Sequence, residues 1–131
     1  MPAILSADRC STTFITHPLR LMETYYKPED LGKFGDLAHG NAKLAQSFFK
    51  YYGEVFEDGA LTAREKALLA LAVAHAVQCP YCSDAFTSES MEKGADLEQM
   101  TEAVHVACAI RGGASLVHGV QMLNQVHAKM M

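Results

Sequence analysis

The stretch that decides the fold runs from residue 61 to residue 86 and reads LTAREKALLALAVAHAVQCPYCSDAF. Thr62 and Glu65 lie three residues apart just before an apolar run, which is the pattern of a capping box at a helix start. We therefore predict a helix from Thr62. Because this helix is apolar on nearly every side from Ala67 to Val77, we expect it to be buried all round, in the domain centre or at a subunit interface.

The same stretch ends this helix and begins the next one at a pair of cysteines. Pro80 suits the first position of a new helix, which we predict to run to about Lys93, with Gly94 as its stop signal. Cys79 is then the N-cap and Cys82 the third helical residue. Two cysteines three positions apart can close a small disulfide ring. The unpaired N–H groups and the dipole at a helix start also favour thiolate over thiol, so the pair is placed to be reactive.

Three other interpretations of Cys79 and Cys82 stay open: an inert pair, half of a zinc site, or a chance match. A zinc site normally takes a second ligand pair, and the sequence has no other C-x-x-C and no H-x3–5-H spacing. The thioredoxin fold, the usual host of C-x-x-C, needs a βαβ pattern that is missing here. Redox chemistry is the interpretation we favour, and no metal site or cofactor is predicted.

His75 is the third candidate site residue, one helical turn before Cys79 and on the same helix face as Leu68, Leu71 and Ala72. A histidine on such a face usually packs in the core. A thiolate, however, needs a base or a cationic neighbour to form at neutral pH. We therefore consider both a proton-transfer role and a packing role for His75.

Helical signals also flank the central stretch on both sides. Pro28 and the following acids predict a short helix that ends near Gly35, and apolar residues at steps of three and four predict a helix from Asn41 to Val55. Another helix is predicted from Asp96; at Gly112-Gly113 it either kinks or divides into two closely packed helices. No alternating strand pattern competes, so the fold class is all-α, with an extended arm at 1–21 and a single domain at 22–131.

Composition limits the functional classes. The chain has 131 residues, 50% of them hydrophobic, and a net charge of −4 without any run of basic residues, which argues against nucleic acid and anionic membranes as partners. Four cysteines are too few for a disulfide framework, so a reducing compartment is expected. The longest apolar stretch is about half of the roughly 20 residues that span a bilayer. We expect a cytoplasmic protein with no membrane partner.

The stretch at 61–86 resembles the signature of the carboxymuconolactone decarboxylase and alkyl hydroperoxidase D superfamily. With YYKPEDL at 25–31, FFKYYG at 48–53 and EAVHVACAIRGGAS at 102–115, the chain is most similar to the arsenosugar biosynthesis-associated peroxidase-like branch. The resemblance covers about residues 22–125. It implies an alkyl hydroperoxidase D-like helical bundle that assembles as a homotrimer or homohexamer.

The resemblance also implies a reaction in which a cysteine pair reduces a peroxide and becomes a disulfide. Cys82 matches the cysteine that attacks the peroxide, and Cys79 matches the one that resolves it. The position of Cys79 as the N-cap favours Cys79 as the attacking residue instead, and of the two we favour Cys82. The family's proton relay uses a histidine and a glutamate where this sequence has Phe86 and Ala67. We therefore expect slow reduction of simple alkyl hydroperoxides unless His75 substitutes.

Three functional hypotheses follow from these observations. The first is a thiol-dependent peroxidase-like oxidoreductase that acts on a hydroperoxide or an arsenical with the help of a thiol reductant. The second is a binding protein whose adjacent thiols capture a soft ligand such as trivalent arsenic. The third is a structural subunit with a vestigial site. We also predict that Cys79 and Cys82 form a reversible disulfide, that Cys108 stays reduced, and that the chain is not a monomer.

Overall fold

A computed structural model describes residues 25–131, and this part of the chain is helical without any β-strand. The all-α prediction is confirmed. The predicted arm at residues 1–21 lies outside the described residues. In chain order the elements are a 3₁₀ helix at Pro28–His39, α1 at Ala42–Phe56, α2 at Ala63–Val77, α3 at Pro80–Glu92 and α4 at Leu97–Met130.

The predicted capping box begins α2. The backbone N–H of Glu65 donates to the Thr62 hydroxyl at 3.2 Å, and the Thr62 N–H donates to the Glu65 carboxylate at 2.7 Å. Hydrogen bonds from the Thr62 backbone, and then from its side chain, lower the pKa of Glu65. Because this pKa is lower in the folded chain, the box contributes stability at neutral pH and loses it as the pH falls through the lowered value.

The expectation that α2 is buried all round in the domain centre is wrong. Ala67, Leu71 and Ala74 are buried, whereas Leu69, Val73 and Val77 are 54%, 59% and 66% exposed. The buried residues face the neighbouring helices α3 and α4, which pack on one side of α2. On the opposite side α1 contacts α2 but leaves these three residues exposed, so the other predicted location, a subunit interface, stays a prediction.

Two polar contacts join α2 to α4. The Arg64 guanidinium at the start of α2 donates to the Gln99 side chain, and the Arg111 guanidinium donates to the Ala76 carbonyl at 2.7 Å near the end of α2. The two helices therefore run in the same direction. Beyond Arg111, α4 continues for residues 112–130, or roughly 28 Å at about 1.5 Å per residue. No other described element packs along this extension, and Leu116 on it is 81% exposed.

The predicted end of the first helix is wrong. The first helix continues past Gly35 to His39, because Gly35 does not adopt the positive φ that ends helices. It is a 3₁₀ helix, and Gly40 is its C-cap. Of the two alternatives at Gly112-Gly113, the structure has the single helix, which is continuous over Leu97–Met130. Neither glycine allows a close approach of another described element, because a Cβ built on each meets nothing within 4 Å.

A row of aromatic rings connects the N-terminal elements to α3. Phe34 of the 3₁₀ helix lies 5.0 Å from Phe49 of α1 between ring centroids, Tyr52 lies 5.0 Å from Phe56, and Phe56 lies 5.1 Å from Phe86 of α3. The aromatic side chains of α1 therefore pack against neighbouring rings. It is not a closed core, because α1 has no fully buried residue.

By length and composition alone, α4 is apolar enough to cross a membrane, and 6% of its most apolar 18-residue window is buried. An uninterrupted apolar run does not reveal this property, because Arg111 and several glycines interrupt the apolar residues of α4. One such helix is weak evidence for a membrane location, because a helix covered by another protein subunit has the same composition.

Removal of the Thr62 N-cap tests whether the capping box stabilises α2. Thr62→Ala removes the side-chain acceptor, so we expect the free energy of unfolding to fall by about 1 kcal/mol in urea denaturation. Thr87→Ala is the matched control, since Thr87 is exposed inside α3 and alanine favours a helix interior. Equal losses in the two variants would contradict the capping argument.

Candidate active site

The junction between α2 and α3 positions the two cysteines. Gln78 ends α2 in the left-handed conformation, with φ at 57°, and the Cys79 N–H donates back to the Ala74 carbonyl at 3.0 Å. This six-residue closure is typical of a Schellman motif, and it reverses the chain direction in very few residues. Pro80 then begins α3 at once, so Cys79 stands at the helix start as the sequence predicts.

Cys79 and Cys82 are joined by a disulfide bond, with their Cα atoms 5.2 Å apart. The Cys79 sulfur also accepts a hydrogen bond from the Cys82 backbone N–H at 3.2 Å, which makes it the N-cap acceptor of α3. A backbone N–H group and the positive end of the helix dipole both stabilise negative charge on this sulfur. The geometry therefore favours Cys79 as a thiolate whenever the bond is reduced.

Both cysteines open onto one cavity of about 560 Å³, which we call the disulfide cavity. An ion pair between Lys33 and Asp30, 2.6 Å apart, lies on the side that the 3₁₀ helix forms. Apart from the cysteines and this pair, the walls are mainly apolar or aromatic and come from the 3₁₀ helix, α1 and α3: Leu31, Phe34, Leu37, Tyr52, Tyr81, Ala85 and Phe86.

A second cavity, of about 500 Å³, lies along the exposed side of α2, and we call it the α2 cavity. Cys82 lines it and Cys79 does not. Leu69, Val73 and Val77 of α2 form much of its wall, which is almost wholly apolar apart from Lys66. Tyr52, Cys82 and Phe86 line both cavities, so Cys82 is the cysteine that can be reached from two sides.

His75 lines neither of these two cavities. It lines a smaller one, of about 260 Å³, with Cys108 and Arg111 of α4, and its Nδ1 lies 2.8 Å from the Leu71 carbonyl oxygen. Helix geometry explains this placement, because His75 shares a helix side with Leu71 and that side faces α4. A proton-transfer role for His75 stays a prediction, and His75 would have to act from outside both cavities that Cys82 lines.

Phe86 and Ala67, at the positions of the family's relay, are both buried and carry no titratable group. Phe86 is one turn after Cys82, and its ring packs against that of Phe56. Sequence reasoning missed Tyr52, which lies within the helix predicted from Asn41 to Val55. Its hydroxyl group was the available signal, but only the packing of α1 against α3 brings it to the cavities of a cysteine that lies 30 positions later.

Within residues 25–131, no group of three or more His, Cys, Asp or Glu side chains is close enough to hold a metal ion. The described part of the chain therefore presents a disulfide at a helix start, two largely apolar cavities and a bundle of helices. This class of site is suited to thiol–disulfide chemistry.

Comparison with known proteins identifies the family. The sequence profile of the carboxymuconolactone decarboxylase family matches residues 42–125. A protein from Paracoccus denitrificans, described as uncharacterized protein 4 in cox locus, is 36% identical over 96 residues, which cover 73% of this chain and 86% of that protein. The chain belongs to the carboxymuconolactone decarboxylase family.

Solved structures agree with this assignment. A crystal structure of a protein from Methanobacterium thermoautotrophicum has a TM-score of 0.63 and 30% identity, over 66% of this chain and 97% of its own. The apo crystal structure of a carboxymuconolactone decarboxylase family protein from Legionella pneumophila has a TM-score of 0.59 and 26% identity, over 73% and 86%. The family's helical bundle is therefore the fold of this chain.

Peptide mapping tests the cysteine assignment. After mild peroxide treatment and alkylation without a reductant, we expect a disulfide-linked peptide that contains Cys79 and Cys82. Cys108, which is free and exposed on α4, should carry the alkyl group. Oxidation mainly at Cys10 or Cys108 would contradict the assignment.

Proposed function

We propose that this protein is a thiol-dependent, peroxidase-like oxidoreductase in which Cys79 and Cys82 cycle between dithiol and disulfide. The observation that carries the proposal is the disulfide at the start of α3, with Cys82 open to two cavities. The sequence similarity supports a place in the arsenosugar biosynthesis-associated branch of the superfamily. The charge and cysteine content support a cytoplasmic location, where thiol reductants are available.

The proposed cycle balances in three steps. The Cys82 thiolate attacks the terminal oxygen of a hydroperoxide, the O–O bond breaks, and an alcohol leaves after it takes up a proton. The Cys79 thiolate then attacks the resulting Cys82 sulfenic acid, which forms the disulfide and releases hydroxide, and the hydroxide takes up a proton to give water. An external dithiol finally supplies two electrons and two protons, becomes a disulfide itself, and restores both thiols.

The position of Cys79 at the start of α3 favours one of the two sulfurs as the target of the external dithiol in the last step. The Cys79 sulfur accepts an N–H bond at the positive end of α3, so Cys79 is the better leaving thiolate. An attacking dithiol therefore bonds preferentially to Cys82. Cys82 is also the sulfur that lines both cavities, so the same atom meets the oxidant and the reductant.

Peroxide consumption tests this function. With tert-butyl hydroperoxide and dithiothreitol, we expect the wild-type protein to consume peroxide catalytically. Cys82→Ser should fall to the rate without protein, because it lacks the attacking sulfur. Cys79→Ser should form a single sulfenic acid on Cys82, which dimedone traps, whereas Cys108→Ser should match the wild type. Equal consumption in wild type and Cys82→Ser would contradict the proposal.

Capture of a soft ligand is the second candidate function, because both sulfurs line one cavity and can bind one ion together once reduced. Trivalent arsenic is the ligand that the sequence similarity suggests. Arsenite should then bind to the reduced protein and not to the disulfide form. Such binding without any peroxide turnover would favour this second function over the first.

We also propose that the chain associates with copies of itself, as a homotrimer or homohexamer. Residues 112–130 of α4 extend beyond α2 with their apolar side chains exposed, and the outer side of α2 is apolar as well. Contiguous apolar surface of this extent is typical of interfaces. A second copy of the chain is a suitable partner because it carries the same apolar surfaces.

Light scattering at micromolar concentration tests the association. We expect a mass of three or six chains, whereas a mass near 14.3 kDa would contradict it. Leu123→Glu adds a charge to the apolar extension of α4 and should lower the measured mass. Gln125→Glu is the matched control on the opposite side of the same helix, and it should leave the mass unchanged.

A further inference from the structure

The proposed reaction requires a proton donor close to Cys82. When a thiolate breaks the O–O bond of an alkyl hydroperoxide, the departing oxygen becomes an alkoxide, which is a strong base and a poor leaving group. A side chain that protonates this oxygen during bond breaking typically accelerates the step by roughly 10²–10⁴-fold. Phe86 and Ala67 cannot supply a proton. This inference therefore rests on the proposed function and concerns the residue that protonates the leaving oxygen.

Apart from the cysteines, four side chains that line the two cavities hold a transferable proton at neutral pH: Lys33, Lys66, Tyr52 and Tyr81. Lys33 is paired with Asp30, and the Lys66 ammonium donates to the Glu57 carbonyl at 2.5 Å. Tyr81 lines the disulfide cavity and does not line the α2 cavity. Tyr52 lines both cavities, together with Cys82, so it is available to a peroxide that arrives through either one.

Packing holds the Tyr52 ring in place. On α1 its ring centroid lies 5.6 Å from that of Phe48 and 5.0 Å from that of Phe56. Phe56 in turn stacks on Phe86 of α3, one turn after Cys82. This row of rings connects Tyr52 to the helix that carries Cys82. The packing limits rotation of the Tyr52 side chain, so its hydroxyl group keeps one position.

The surroundings also keep the Tyr52 hydroxyl protonated. Burial raises the pKa of Tyr52, and the negative charge of Glu89 raises it further. Glu89 lies two helical turns after Cys82 on the same side of α3, and its carboxylate pairs with Lys93 at 3.4 Å. Even with a raised pKa, a phenol is a far stronger acid than the alcohol that forms, so the proton transfer is favourable.

We infer that Tyr52 is the proton donor to the leaving oxygen when Cys82 attacks an alkyl hydroperoxide. The Cys82 sulfur bonds to the terminal oxygen while the O–O bond breaks, and the alkoxide takes the phenolic proton. The products are a sulfenic acid, an alcohol and a tyrosinate, and the tyrosinate regains a proton from water. No other oxidant or reductant enters this step.

The choice of oxidant separates a proton donor from a packing residue. Tert-butyl hydroperoxide releases a basic alkoxide, whereas peracetic acid releases acetate, which leaves without a proton. Tyr52→Phe keeps the ring and removes only the hydroxyl group. We expect its oxidation by tert-butyl hydroperoxide to slow by about 10²-fold or more, and its oxidation by peracetic acid to change little. The rates are measured on pre-reduced protein as the loss of free thiol.

Tyr51→Phe is the matched control, because Tyr51 is the neighbouring residue on α1, is 66% exposed and lines neither cavity. It should match the wild type with both oxidants. Reduction of the disulfide by dithiothreitol should be unchanged in both variants, since that step does not break an O–O bond. A normal thermal melt of Tyr52→Phe confirms that the packing is intact.

Two results would overturn the assignment of Tyr52. If Tyr52→Phe reacts as fast as wild type with both oxidants, the hydroxyl group is not used. If it slows equally with both oxidants, Tyr52 acts through structure. Failure of the proposed function looks different: wild-type Cys82 would then react with tert-butyl hydroperoxide no faster than free cysteine does, and the role of Tyr52 would fall with it.

Discussion

The site depends on the reversal of the chain between α2 and α3. Gln78 makes this reversal in the left-handed conformation, which costs a residue with a side chain about 1 kcal/mol relative to the usual backbone regions. Hydrogen bonds offset the cost, because the Cys79 N–H bonds back to Ala74 and the Arg111 guanidinium binds the free carbonyl of Ala76. Without this closure, Cys79 would not stand at the start of α3.

This reversal connects the stability of the bundle to the chemistry of the site. Arg111 comes from α4, so the helix pair that forms the core also completes the end of α2. The start of α3 then provides the backbone N–H that the Cys79 sulfur accepts. Backbone groups at the start of α3 therefore stabilise negative charge on the Cys79 sulfur.

The walls around the pair come from elements that are distant in sequence. The 3₁₀ helix and α1 cover one side of α3 through a row of aromatic rings, and this row brings Tyr52 beside the cavities of Cys82. The two cavities differ in chemistry. The α2 cavity is apolar except for Lys66, which suits an uncharged alkyl peroxide, whereas the disulfide cavity also has an Asp30–Lys33 pair and both sulfurs.

The sequence by itself determined the helix class, the start of α2 at its capping box, the start of α3 at Pro80 and the position of Cys79 as its N-cap. These features depend on residues within four positions of each other, so local hydrogen bonding decides them. The tertiary structure alone decided the rest. It directed His75 toward α4 and Cys108, and it left the outer side of α2 exposed. It also brought Tyr52 to the site, because which helix side meets which neighbour depends on the packing of whole helices, and spacing along one chain segment does not specify that packing.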